Sequence, residues 1–424
     1  MKKVLSLVLT LILALSICCV PLTTSASELI LGDLNDDGTV NIVDMLLLRK
    51  RLARVIGNSD INKAAADINT DGNIDQIDAQ ILMMHLSKER LLSTNKTYTF
   101  DSICENGKVL SRGVVRETNL LLSQTASGVE FYAECEGNLV INLTSSASAK
   151  LNITVDDDLD NSYELNVTKN STKYTARLNL EKGKHKIAIQ KATEWLRCDL
   201  ITLSSITITG SVLDEKIADK PLKFEFYGDS ITSGYGNLTS QSGAGEWNFQ
   251  NGCKTYATYV SRLLGADYAI ASASGHGILG GYSNTTDTYK KYFDYSLIPD
   301  KTPWSRADYN ADLIVINLGT NDNSRAGSNL DKTVFVAECS KIVEGMHEEN
   351  PDVKILWVIG MNYVSDSMPI ISALKELDQK YDYVNFYKSV AAQNGGDSHP
   401  NINNHKSLAE KLGEYIKQNY PEFF

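Results

Sequence analysis

A loop pattern that occurs twice constrains this chain more than any other feature. Asp33-Leu-Asn35-Asp-Asp37-Gly38-Thr39-Val-Asn41-Ile-Val-Asp44 returns 34 residues later as Asp67-Ile-Asn69-Thr-Asp71-Gly72-Asn73-Ile-Asp75-Gln-Ile-Asp78. In each copy oxygen-bearing side chains stand at loop positions 1, 3, 5, 9 and 12, and a glycine takes the sharp turn at position 6. That is the donor order a hard cation with six or more oxygen ligands requires, and the main-chain carbonyls of Thr39 and Asn73 complete the two shells. Both loops therefore read as calcium sites. Position 12 is Asp, a shorter reach than the Glu of a helix-loop-helix site, and one amphipathic helix follows each loop, over Asp44–Arg54 and Asp78–Leu86. Carboxylate-rich loops repel themselves when empty, so folding of this segment is expected to be coupled to the ion.

The pair of loops at this spacing resembles a type I dockerin over about residues 29–90. The resemblance implies two structural calcium ions and a non-covalent plug into a cohesin on a scaffoldin or cell-surface protein. The two copies differ at the positions a partner would meet: Ile42-Val43 against Gln76-Ile77, and Arg49-Lys50 against Met83-Met84. One orientation on the cohesin is expected to dominate.

Residues 1–26 read as a cleaved secretory signal peptide: Lys2 and Lys3, an apolar run from Val4 to Val20, and a small-residue exit at Thr24-Ser25-Ala26. Ile17 stands where a lipoprotein site wants a small residue, which ranks lipid anchoring at Cys18 second. Beyond the leader no stretch is long and apolar enough to span a bilayer. The expected location is extracellular. A formal charge of −11 repels phosphate backbones and anionic membrane surfaces, which argues against nucleic-acid binding. Five cysteines remain after cleavage (Cys104, Cys135, Cys198, Cys253, Cys339), too few and too scattered for a disulfide framework.

From 96 to 212 short alternating runs recur, among them Gly128-Val-Glu-Phe-Tyr-Ala and Lys184-His-Lys-Ile-Ala-Ile. Period 2 between turn residues predicts strands, and regular spacing without a helical stretch suits an all-β jelly-roll sandwich. No catalytic constellation is visible there. His185, between lysines, reads as a surface residue.

From 218 to 424 β-rich segments at Leu222–Tyr227, Tyr268–Ser272, Leu313–Leu318, Ile355–Ile359 and Tyr383–Tyr387 alternate with helical patterns near Thr255–Leu264, Lys332–Glu349, Ile370–Lys380 and His405–Gln418. This predicts an α/β domain with a flavodoxin-like parallel sheet, whose site lies beyond the carboxyl ends of the strands. The first strand runs into Gly228-Asp229-Ser230, placing a serine hydroxyl at a strand-to-helix turn. A serine needs a base within hydrogen-bond reach, and Asp397-Ser-His399-Pro supplies an imidazole with a carboxylate two residues before it. Backbone and carboxamide donors for an oxyanion are available in Ser274-Gly275-His276-Gly277 and Gly319-Thr320-Asn321-Asp322. Gly277 rivals Gly275 for that role. His276 and Asp322 read as supports for these loops, and His405 as the start of the last helix.

These four blocks in this order resemble the SGNH (GDSL) hydrolases. By matching positions, Ser230 is the nucleophile, His399 the base, and the Ser230 amide, Gly275 and Asn321 the oxyanion hole. Most of that superfamily has its acid three residues before the histidine, where this chain has Gly396. The Asp-x-His spacing, the jelly roll in front and the run Gly183 to Glu194-Trp195 resemble carbohydrate esterase family 2 over about 96–424. This implies a serine esterase that removes acetyl groups from plant polysaccharides such as xylan or glucomannan through an acetyl-Ser230 intermediate. Some members use a backbone carbonyl in place of the acid, which makes Asp397 less secure than His399. No cofactor is expected for catalysis. The dockerin would place the enzyme in a cellulosome-like complex. The alternative is a non-catalytic carbohydrate-binding protein on an esterase-like fold. Trp304 and Tyr363 are candidates for stacking on sugar rings, and equally for packing in the core.

Overall fold

The computed structural model describes residues 29–86, 95–361, 364–390 and 392–424. The leader at 1–26 and Tyr363 fall outside these. The chain divides into two compact units, Met1–Asn95 and Lys96–Phe424.

In the first unit each loop folds the same way. Glycines 38 and 72 take φ near +86° and +89°, the left-handed conformation a side chain would strain. Asp44 and Asp78 are fully buried and close their loops by accepting amides: Leu34 and Asn41 on Asp44 and Ile68 and Asp75 on Asp78, all at 2.8 Å, with Asn69 also on Asp78 at 3.2 Å. Two helices follow, α1 (Ile42–Leu52) and α2 (Gln76–Leu86). They share a core of Leu34, Met45, Leu48, Ile68, Ile81 and Leu82. Asn41 caps α1 through the Val43 amide while Asp44 reaches back to the Asn41 amide.

The second unit holds two main sheets. The first joins nine strands: β1 (Asn95–Thr99), β2 (Lys108–Leu110), β3 (Val114–Arg116), β4 (Asn119–Leu122), β5 (Gly128–Ser145), β6 (Ala149–Val155), β7 (Tyr163–Val167), β8 (Lys173–Lys191) and β9 (Ile201–Val212). Their order is β3-β4-β9-β5-β8-β6-β7, with β1 against β9 and β2 against β5. Bulges flank Gly137 in β5, yet Phe131 and Ala133 before it and Leu139 and Ile141 after it all enter one core, so the strand bends around that core. A short helix, Phe100–Cys104, buries Phe100 and Ile103 at its side; the sequence pattern had predicted no helix here.

The second sheet is parallel throughout, in the order β11-β10-β14-β15-β16, from β10 (Leu222–Gly228), β11 (Ala266–Ser272), β14 (Leu313–Asn317), β15 (Lys354–Ile359) and β16 (Val384–Lys388). A small hairpin, β12 (Tyr295–Leu297) with β13 (Thr302–Pro303), lies apart from it. Helices cover both faces. Tyr256, Val260, Leu408 and Leu412 pack on one side with Phe224 and Val315, and Phe335, Val343, Ile371 and Leu374 on the other with Ile314 and Ile316. In chain order the sheet reads 2-1-3-4-5, so the winding reverses beside β10, where a cleft opens at the carboxyl ends. All five described cysteines are free thiols.

Candidate active site

The cleft is built from four loops. β10 ends at Gly228, where a Cβ would lie 1.9 Å from the Thr232 hydroxyl, so only glycine lets the chain turn this tightly. The turn opens a short helix, Ser230–Ser233, capped by Asp229, whose carboxylate accepts the Ile231 amide at 3.1 Å. Burial, and then the nearby Asp322 carboxylate, push the Asp229 acid up to about 7.

The loop after β16 brings the base. His399 Nε2 lies 2.8 Å from Ser230 Oγ, across 169 residues of chain. Its Nδ1 meets the main-chain carbonyl of Asp397 at 3.1 Å. With Nδ1 as donor to that carbonyl, Nε2 carries the lone pair that takes the serine proton. Burial holds the His399 imidazole below its ordinary range.

This corrects the expectation for the Asp397 side chain. Its carboxylate does not face the imidazole; it accepts the Gly243 and Ala244 amides, each at 2.7 Å, and the Tyr235 hydroxyl at 2.8 Å. The Tyr235 bond, foremost among these, holds the acid below the usual carboxylate range. Asp397 and Ser398 both take positive φ, 50° and 60°, and this left-handed pair turns the carbonyl of Asp397 inward while its side chain points out.

Of the two rival glycines, the structure favours Gly275. Its φ is +75°, nothing lies within 4 Å of where a Cβ would be, and neither its amide nor that of Ser230 is engaged by another group among the described residues. The Gly277 amide instead donates to the Asp287 carbonyl at 3.1 Å, and a Cβ there would meet Asp322 Oδ2 at 2.4 Å. Asn321 Nδ2 donates to the His276 carbonyl at 2.8 Å and to Asp229 Oδ2 at 3.2 Å, which fixes the carboxamide beside the serine turn. Asp322 accepts the Ile278 and Leu279 amides at 2.8 and 2.7 Å, the loop support expected of it. His276 Nδ1 lies 3.0 Å from the Ser274 carbonyl.

Other sequence expectations fall out as follows. His405 lies in the first turns of the helix Ile402–Asn419, fully buried, its Nδ1 accepting the Tyr256 amide at 3.2 Å. His185 bridges Asp156 and the Glu181 carbonyl, away from the site. Trp304 is not at the cleft: it stands under the Arg112 guanidinium, 4.7 Å from its ring centre, and its indole N–H donates to Glu225 in mid-strand β10. The ring beside the base is Tyr235, with centroids 4.6 Å apart. Tyr235 sits seven residues from Gly228 in the serine block itself. The reading of that block stopped at the nucleophile.

Among the described residues no group of three or more His, Cys, Asp or Glu side chains is gathered to hold an ion by itself. An ion in either of the repeated loops would need the side-chain amide and main-chain oxygens of Asn35, Asn41 and Thr39, or of Asn69 and Asn73, beside the carboxylates. Their fit to a cation shows in Asp67, whose acid is raised by burial and by the neighbouring Asp78 and Asp71 charges, a repulsion that a divalent ion would relieve.

A serine hydroxyl on a strand-to-helix turn, an imidazole on it and free amides beside it give the doubly wound sheet the groups that nucleophilic attack on an ester would need. Residues 31–87 match the model of the Dockerin type I domain, and residues 226–406 that of the GDSL-like Lipase/Acylhydrolase family. It is 30% identical over 266 residues to the cellulase/esterase CelE of Acetivibrio thermocellus, covering 58% of this chain and 32% of that one. It is 28% identical over 185 residues to an acetylxylan esterase / glucomannan deacetylase of Cellvibrio japonicus, covering 41% of this chain and 51% of that one. The chain thus spans about a third and about half of the lengths of these two relatives. Its fold matches a family two carbohydrate esterase from Clostridium thermocellum, solved with cellohexaose, with a TM-score of 0.64 and 24% identity over 75% of this chain and all of that one. A family two esterase from Cellvibrio japonicus matches with a TM-score of 0.68 and 18% identity over 77% and 98%.

Proposed function

We propose that this chain is a secreted serine esterase that removes O-acetyl groups from plant cell-wall polysaccharides, acetylated xylan or glucomannan, within a complex assembled through its dockerin and a cohesin. The observation that carries the reading is the 2.8 Å approach of His399 Nε2 to Ser230 Oγ, with the tautomer set by the Asp397 carbonyl. In the first step the Ser230 oxygen attacks the acetyl carbonyl while its proton passes to His399 Nε2. The oxyanion is held by the amides of Ser230 and Gly275 and by one N–H of Asn321, which leaves its longer bond to Asp229 to do so. As the acyl C–O bond breaks, the imidazolium protonates the departing sugar oxygen, which leaves as a free hydroxyl. Water, deprotonated by the same imidazole, then releases acetate from the acetyl-serine. No step draws on a metal; the two calcium ions are assigned to the dockerin loops, where Asp33, Asn35, Asp37, Thr39, Asn41 and Asp44, and their counterparts Asp67, Asn69, Asp71, Asn73, Asp75 and Asp78, would hold them.

Acetate release from acetylated xylan and glucomannan, compared for wild type and Ser230→Ala, tests this. Release by the wild type alone supports it. Binding of either polysaccharide with no release by either protein would instead support a non-catalytic binding role.

A further inference from the structure

We propose that Glu194, which follows strand β8 of the β-rich sheet, is a positioning residue for the hydrolytic site in the other sheet: it anchors at Ser274 the loop that carries the Gly275 amide and brings a buried carboxylate to that loop. The inference deepens the esterase reading and rests on it.

Glu194 follows the end of β8 and is fully buried. One carboxylate oxygen, Oε2, accepts the Ser274 amide at 2.8 Å, 80 residues away in the chain. The next amide is that of Gly275. The peptide that carries the Gly275 N–H is held at its Ser274 carbonyl by His276 Nδ1 at 3.0 Å, and the Gly275 carbonyl accepts the Tyr282 amide at 2.8 Å, so Glu194 anchors the peptide just before this pair and with them limits the direction of the Gly275 N–H. The base of Glu194 is itself fixed, since Gln250 Oε1 accepts its amide at 3.1 Å. Beside it, Trp195 packs edge-on against His276 with ring centres 5.9 Å apart.

The second oxygen, Oε1, is less provided for. It faces Arg197 Nε at 3.5 Å and makes no hydrogen bond. A buried carboxylate with one good hydrogen bond and one long ion pair is costly to keep if its only task is structural. Catalysis supplies a reason for keeping the charge. The imidazolium formed at His399 lacks the aligned carboxylate of a serine triad, because the Asp397 carboxylate is taken by Tyr235, Gly243 and Ala244. Glu194 is one of the two carboxylates whose charge raises the His399 pKa against the effect of burial, the other being Asp397. The Tyr235 phenol lies at the face of the imidazole, and His405, buried on the last helix against Tyr256, is held well below its ordinary range by burial and then by the His399 charge. Facing Glu194 are Arg197, at the site's rim, and Lys191, whose ammonium is buried on the Ser123 and Thr193 carbonyls.

Two variants of the full chain separate the roles. Glu194→Gln keeps an acceptor for Ser274 and removes only the charge; Glu194→Ala removes both. With p-nitrophenyl acetate, Glu194→Gln should lower kcat about tenfold at a KM within about twofold, and move the acid limb of the kcat/KM profile to lower pH. Glu194→Ala should lower kcat about a hundredfold. The imidazole of His399, followed by NMR in histidine-labelled protein, should titrate about half a unit lower in Glu194→Gln than in wild type. This last measurement needs no turnover. A wild type that releases no acetate would overturn the esterase reading, while an unmoved His399 titration would overturn the charge assigned to Glu194. A Glu194→Ala protein that folds and keeps kcat within about twofold of wild type would overturn the positioning role. Should Glu194→Ala not fold, Glu194→Gln still decides through the titration and the pH profile.

Discussion

The Tyr235 hydroxyl donates to the Asp397 carboxylate at 2.8 Å, and that bond, with two amides from residues 243 and 244, holds the acid away from the imidazole it precedes. The base is oriented by peptide geometry and not by a side-chain charge. Asp397→Asn should therefore lower kcat less than about tenfold, against the roughly 10⁴-fold loss seen where an aligned triad aspartate is amidated. A loss of a thousandfold or more would show that the carboxylate acts on His399 directly.

The His399 imidazole sits below its ordinary value because it is buried. A general base works in its neutral form, so a lowered pKa extends activity toward acid. Half-maximal kcat/KM on the acid limb should fall below the unperturbed histidine value of about 6.5. A limb centred at or above that value would contradict the geometry.

Acid should also unfold the second unit through His405. This ring is fully buried and its pKa is depressed to about 3, while the unfolded chain's histidine titrates near 6.5. The unfolded state thus binds the extra proton, so the contribution is whole above about pH 6.5 and shrinks steadily as pH falls toward 3. The loss amounts to a few kcal/mol at most, at roughly 1.4 kcal/mol per unit. In His405→Gln, whose carboxamide can still accept the Tyr256 amide, the slope of Tm against pH between 6 and 4 should flatten; an unchanged slope counts against His405.

The glycines of the second loop should separate by stability. Gly275→Ala meets open space and pays only for its left-handed φ, about 1–2 kcal/mol. In Gly277→Ala the new methyl meets the Gly280 carbonyl at 2.3 Å and Asp322 at 2.4 Å, so the loss should be larger, about 3 kcal/mol or more. Urea unfolding of the two variants ranks them, and the reverse order would refute the assignment of roles.

On the dockerin, Ile42 is 71% exposed at the start of α1, where the second copy presents the polar Gln76. Ile42→Asp should weaken cohesin binding by tenfold or more, about 1.4 kcal/mol, and Gln76→Asp much less. Comparable losses in calorimetric titrations would mean that both orientations are used. Chelation should abolish that binding while hydrolysis of p-nitrophenyl acetate continues.

Ser230 and Asn321 were legible in the sequence because each follows a strand with a buried apolar run, and parallel order brings such strand ends together; His399 follows the half-buried β16 and was legible from its Asp-x-His-Pro block instead. The orientation of Asp397 was not. The two-residue spacing to His399 permits either carboxylate or carbonyl, and the choice is made by Tyr235, Gly243 and Ala244, more than 150 residues earlier. Glu194 was hidden for the same reason, since its partner Ser274 lies on another sheet. For Trp304 the sequence left sugar stacking and core packing equally open, because an aromatic near a strand gives no sign of which end of the sheet it faces; the structure packs it with Arg112 and Glu225. The helix Phe100–Cys104 is too short to leave a periodic signal.

The bond from Glu194 to Ser274 also bears on how such a gene can be recombined. A crossover in residues 213–221, between the two sheets, would strip the oxyanion loop of its anchor, so the whole of 96–424 has to be inherited as one cassette. The division after Asn95 is a seam of another kind, since it falls between two units that are each compact by themselves.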